Sequence, residues 1–198
     1  MSVDLATYRV GCLSSLHCLP DYVSVSEEDA CIANIAATKA GWKQVSGRKL
    51  LNYGGQISEK TGALLQVPLP GWLQQLAVQL SKDVENSGIG RINHVLVNSY
   101  EQEEGIFAHE DGPVYFPVAC IISLGGPAIM RFFRKLPAGG HDPHSEASVI
   151  LMPRSLLVFA DDAYRHYLHG INQGRSELVD DSVVNAGQAT YPLEFILN

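Results

Sequence analysis

Two residues, His109 and Asp111, close the stretch Asn98-Ser99-Tyr100-Glu101-Gln102-Glu103-Glu104-Gly105-Ile106-Phe107-Ala108-His109-Glu110-Asp111. In an extended segment, side chains at i and i+2 point to the same face. An imidazole nitrogen and a carboxylate oxygen could then reach a single ion. A second histidine from a distant strand would complete a 2-His-1-carboxylate facial triad, which leaves adjacent positions open on Fe(II) for oxygen activation. The same pair would also suit a solvated surface turn, so the second histidine matters. The stretch Ala163-Tyr164-Arg165-His166-Tyr167-Leu168-His169-Gly170-Ile171 holds two candidates, His166 and His169. On a strand, positions i and i+3 face opposite sides, so only one can point inward. Periodicity alone does not choose. His141 and His144 lie in a Gly/Pro loop, and His17 and His94 stand alone; these four read as solvated or structural.

The elements that would position the triad can be read from pattern. Ser26-Glu27-Glu28-Asp29 resembles a capping box. It would open a helix running to about Lys39, burying Ile32, Ile35 and Ala36 and stopped by Gly41. Trp72, Leu73, Leu76, Ala77 and Leu80 recur at helical spacing after Pro70, which predicts a second helix. From Ile92 onward the chain becomes short apolar runs separated by turn residues: 94–100, 117–124, 128–133, 148–152 and 155–159. Strands at this spacing after two helices predict a mostly β fold with flanking helices, an antiparallel sandwich or jelly roll. Residues 42–55 place Arg48 and Lys49 near Trp42 and Tyr53, among glycines. Bases can meet phosphates and aromatic rings can stack on nucleobases; a plain hairpin with inward aromatics is the alternative.

Composition narrows the class. The chain has 198 residues, 46% hydrophobic and 18% charged, enough for one domain with a sizeable core. A net charge of -7 argues against a surface that grips nucleic acid over its whole extent. The four cysteines lack a Cys-x-x-Cys spacing and are expected to be reduced thiols. No signal peptide and no membrane span is expected.

These residues carry a resemblance. Asn98-x-Tyr100, Gly105-Ile106-x-x-His109-x-Asp111-Gly112, Ile122-Ser123-Leu124-Gly125, Pro153-Arg154-Ser155-Leu156-Leu157-Val158 and Tyr164 through Leu168-His169-Gly170-Ile171 are similar to the motifs of the AlkB-type Fe(II)/2-oxoglutarate dioxygenases. The likeness covers roughly residues 15–171. It implies a double-stranded β-helix (a cupin-like jelly roll) as a single domain over 1–198, with 42–70 as a substrate lid. It implies His109, Asp111 and His169 as iron ligands, His169 being chosen because it precedes Gly-Ile. Asn98 and Tyr100 would bind 2-oxoglutarate, and Arg48 and Tyr53 would face the substrate. The cofactors would be Fe(II), 2-oxoglutarate and O2, and the reaction hydroxylation of a substrate C–H with succinate as co-product. The expected substrate is alkylated nucleic acid, with protein as the alternative. The expected form is a monomer in nucleus and cytoplasm.

The divergent tail, 172–198, departs from that pattern. The family anchors the co-substrate carboxylate on an arginine in a late strand. Here the only arginine past His169 is Arg175, six residues on (175−169). A buried carboxylate lacking such a partner costs on the order of 3–5 kcal/mol, about a hundred-fold or more in affinity. The tail could come from an alternative transcript, or Arg131, Arg134 or Lys135 could substitute from another strand. Alternatively the chain is a metal- or partner-binding module without turnover.

Overall fold

The apolar runs from 117 onward become strands of two antiparallel sheets in the computed structural model, which describes residues 3–58, 60–85, 90–190 and 194–196. In chain order the elements are β1 (Leu16–Leu19), α1 (Val25–Ala37), β2 (Lys43–Val45), β3 (Arg48–Tyr53), β4 (Gly55–Ile57), β5 (Leu64–Gln66), α2 (Gly71–Asp83), β6 (Val95–Ser99), β7 (Ile106–His109), β8 (Val118–Ile122), β9 (Ala128–Arg134), β10 (Ala147–Leu151), β11 (Leu156–Ala160), α3 (Asp161–Arg165), β12 (Tyr167–Ile171), β13 (Ser176–Leu178) and β14 (Glu194–Ile196). One sheet has the order β1-β11-β8 and the other β10-β9-β12-β7. Their facing sides share one core, with Leu16, Cys18, Leu157 and Phe159 from the first meeting Met130, Phe132, Val149 and Tyr167 from the second. This is the double-stranded β-helix.

Alternation explains how one strand serves two cores. On β9, Met130 and Phe132 face the sandwich, while Ile129 packs on the outer face with Ile150, Met152, Val179 and Val183. The tail supplies that outer cover. Glu177 makes a bidentate pair with Arg131 at 2.9 and 2.8 Å, Glu177 being 7% exposed. The Asn185 amide meets the backbone of Ile150 on β10 in both directions: Ile150 N–H donates to Oδ1 (2.8 Å), and Nδ2 donates to the Ile150 carbonyl (2.9 Å). A side chain thus completes hydrogen bonds that a further strand would otherwise make.

A third sheet, β2-β3-β6, and a hairpin, β4-β5, occupy the region expected to form the lid. Among the described residues β6 pairs only with β3, and β8 only with β11.

Two helix expectations need correction. The capping box of α1 is Ser24 with Glu27, two residues earlier than the pattern suggested. Ile32 and Ala36 are exposed and Ile35 half-buried, so the expected apolar stripe is not the buried face. The buried residue is Glu28, because its carboxylate accepts the Gly125 N–H (2.8 Å) and lies 3.5 Å from Arg154. Helix α2 forms as its spacing predicts, burying Leu73, Ala77 and Leu80. The four cysteines are free thiols.

Asn185→Ala leaves the Ile150 N–H and C=O buried without these partners. The expected loss is about 1–3 kcal/mol per orphaned group, read as a lower denaturation midpoint with unchanged m-value.

Candidate metal centre

The pairing of β7 with β12 sets His169 directly opposite His109. The two imidazole rings lie 4.4 Å apart between centroids. His169 Nε2 is 3.9 Å from Asp111 Oδ1. One ligand atom from each of His109, Asp111 and His169 falls within 4.8 Å of the others. His166 is elsewhere: it caps α3, exposed, because the helix ends at Arg165 and the strand begins only at Tyr167. The choice that alternation left open is therefore decided by the short helix, which the sequence pattern did not reveal.

The local backbone is built for this approach. Between the Ile171↔Ile106 and His169↔His109 pairs, β7 advances three residues while β12 advances two, a bulge. A bulge re-aims side chains. Gly170 lies beneath it, and a Cβ there would come within 2.8 Å of the Ile106 carbonyl oxygen. Only glycine lets the two ligand strands come this close.

The three side chains are suited to a metal. His109 Nδ1 lies 2.9 Å from the Phe107 carbonyl oxygen. A carbonyl can only accept, so Nδ1 carries the proton and Nε2 keeps its lone pair. His169 packs on Phe159 (4.9 Å between centroids) and Phe132 (6.3 Å). Burial in this aromatic floor, then the charges of His109 and Lys135, lowers its pKa to about 3, so it is neutral near pH 7. Burial raises the Asp111 carboxyl above its usual range, with His109 opposing. A further polar atom is orphaned here. Tyr164 stacks on Phe159, and its hydroxyl is buried with no hydrogen-bond partner. Burial, then Asp111, raises its pKa to about 12, so it remains a donor. Two imidazoles, a carboxylate and an unused hydroxyl fit a divalent metal with a ligand beside it.

The remaining predicted residues are placed as follows. Asn98 and the adjoining Tyr100 lie along β6, where Arg48 Nε donates to Asn98 Oδ1 at 2.8 Å. Tyr53 lies further along β3, its hydroxyl 2.8 Å from Thr38 Oγ1 and its ring edge-on to Trp72 at 5.8 Å. Lys135 is committed to Glu110 and to the Arg165 carbonyl, and Arg134 to Glu146. Arg131 faces away from His169, on the outer side, with Glu177. Arg175 pairs with Glu103. Sequence reasoning did not single out Phe107, which the bulge leaves 73% exposed two residues from His109. An exposed aromatic adjoining a ligand in sequence was the available signal.

Site and fold together define a metal-dependent oxygenase scaffold. A model of the 2OG-Fe(II) oxygenase superfamily matches residues 36–188, and the chain belongs to that family. It is 36% identical over 191 residues to "Probable RNA/DNA demethylase ALKBH6" of Danio rerio, covering 92% of this chain and 80% of that protein. It is 26% identical to "Alkylated DNA repair protein ALKBH8 homolog" of Arabidopsis thaliana, over 87% of this chain and 55% of that protein. The solved structure of OsALKBH1 shares the fold with a TM-score of 0.60 at 13% identity, covering 94% of this chain and 96% of that one. The family uses Fe(II), 2-oxoglutarate and O2. No helix among the described residues is long and apolar enough to cross a membrane.

His109→Ala is expected to abolish Fe(II) binding in anaerobic titration, while His166→Ala leaves the affinity within about two-fold, as an exposed residue outside the cluster would.

Proposed function

We propose that the chain demethylates alkylated nucleic acid by an Fe(II)- and 2-oxoglutarate-dependent oxidation. The observation that carries this reading is the His109-Asp111-His169 cluster, in a chain whose vertebrate relative bears the name of an RNA/DNA demethylase. When bound, the iron would supply O2-activating chemistry by which one oxygen atom converts 2-oxoglutarate to succinate and CO2 and the other hydroxylates an N-methyl group, which is then lost as formaldehyde. The protein's own work is positional. His109, Asp111 and His169 would hold the metal, Phe132 and Phe159 keep water from the floor of the site, and the Phe107 carbonyl fixes the His109 tautomer.

Asn98 and Tyr100 are proposed to bind the co-substrate, and residues 42–70, with Arg48 and Tyr53, to form the lid over the substrate. A base in a duplex must be flipped out to reach a buried site. The exposed Phe107 ring is suited to stack on such a base. Action as a monomer in nucleus and cytoplasm belongs to the same proposal.

A second reading, a metal-binding module without turnover, is favoured by one observation: Glu177 holds Arg131 on the outer face and so withholds that arginine from the site.

The test is to incubate iron-loaded protein with an N-methylated single-stranded oligonucleotide and 2-oxoglutarate, and to measure succinate and formaldehyde. Equal release of both supports the demethylase; metal uptake with neither product supports the module. Phe107→Ala is expected to raise KM for the oligonucleotide by about 5- to 150-fold, the worth of about 1–3 kcal/mol for one stacked base, with little change in kcat.

A further inference from the structure

We propose that Arg48 is the cation that anchors the distal carboxylate of 2-oxoglutarate in this chain, an assignment that rests on the oxygenase reading above. A 2-oxo acid that chelates a metal through its oxo and adjacent carboxylate oxygens leaves its far carboxylate to the protein. In a partly buried site that carboxylate needs a cationic partner, and a guanidinium with two free N–H groups is the best-matched one.

The structure removes the obvious candidates. Arg131, Arg134, Arg154 and Arg175 are each paired with an acid, as are Lys49 and Lys135. Arg131 also lies on the wrong face of its sheet. Arg48 differs. Its hydrogen bond runs from Nε to a neutral amide, Asn98 Oδ1, so the outward fork of two Nη groups has no bond to any described residue. It is half-buried rather than waving in solvent.

Its surroundings are those of a carboxylate site. Register places Lys49 opposite Ser99 and Leu50 opposite Asn98, and continued by one residue it sets Arg48 across from Tyr100, just past the end of β6. Arg48, Asn98 and Tyr100 therefore share one face of the sheet, offering a guanidinium fork, an amide and a phenol together. Burial pushes the Tyr100 phenol up to about 12, and Arg48 pulls it the other way, so the phenol is a proton donor beside a positive charge.

Arg48 is also tied to the metal strands. The residue before it, Gly47 (φ 73°), accepts the Gly105 N–H through its carbonyl at 3.0 Å. A Cβ on Gly47 would lie 2.5 Å from the Gly105 oxygen, so this turn is pressed onto the chain as it enters β7. Gly105 in turn abuts the Ile171 carbonyl at the end of β12. The hairpin that carries Arg48 thus rests on the two strands that carry His109 and His169.

The experiment compares two ligands on two proteins. Anaerobic Fe(II)-loaded protein is titrated with 2-oxoglutarate and with 2-oxopentanoate, which has the same chain length and chelating end but no distal carboxylate. The visible metal-to-ligand charge-transfer band reports chelation without turnover. The expected result is that the wild type prefers 2-oxoglutarate by about 100-fold, that Arg48→Met binds both acids about equally, and that Arg48→Lys restores part of the preference. Unchanged Fe(II) affinity and thermal midpoint in the variants show that the site itself is intact. A preference that survives Arg48→Met overturns the assignment alone and leaves the oxygenase reading standing. The same holds if the substitution weakens oligonucleotide binding while the ligand preference persists, which would place Arg48 on the nucleic acid. A wild type that forms the band with neither acid overturns the assignment together with the oxygenase reading.

Discussion

Everything at the metal centre depends on one antiparallel contact, the seating of β7 against β12 with His109 opposite His169. The contact is demanding because the two backbones close to a distance that a single methyl group at position 170 would obstruct. Across it the imidazoles meet without hydrogen-bonding each other, and each has its lone pair to offer. Two imidazole rings and one carboxylate held this way are costly to bury unless something cationic compensates them. The arrangement makes sense as a preformed cation site, whose stability in the absence of a cation comes from the surrounding packing.

That packing comes from both sheets. Phe159, on β11, and Phe132, on β9, press against the same histidine from opposite halves of the sandwich. The core of the protein and the floor of the site are therefore the same aromatic cluster. The divergent tail supports it at one remove: Glu177 and Asn185 complete the outer side of β9 and β10, the strands whose inner side holds Phe132. A sequence segment that departs from the family pattern is thus built into the sheet that the site rests on.

Much of this was legible in the sequence where the information is local. The His-x-Asp pair, the strand runs at 117–124, 128–133, 148–152 and 155–159, and the α2 stripe follow from local pattern. What was not legible depends on distant partners. Glu28 reads as a solvated first-turn acid and is buried because Gly125 and Arg154 reach it. His166 and His169 could not be separated until α3 was seen to end at Arg165, with His166 as its cap and His169 on the strand that follows. Resemblance pointed to His169, and the geometry groups that histidine with His109 and Asp111. Nothing in the tail's composition announces that Glu177 will take Arg131, since that pairing spans 46 residues and two strands.

The strand Val118–Ile122 has one neighbour, β11, among the described residues, and is apolar at every position. Its other flank presents backbone donors and acceptors with no strand across from them. Sheet edges of that composition, without a charge, proline or bulge to blunt them, are templates for another chain. Among the described residues, that flank is where a further strand could add to this sheet. A second chain docking there would do so through main-chain hydrogen bonds, with little regard for sequence.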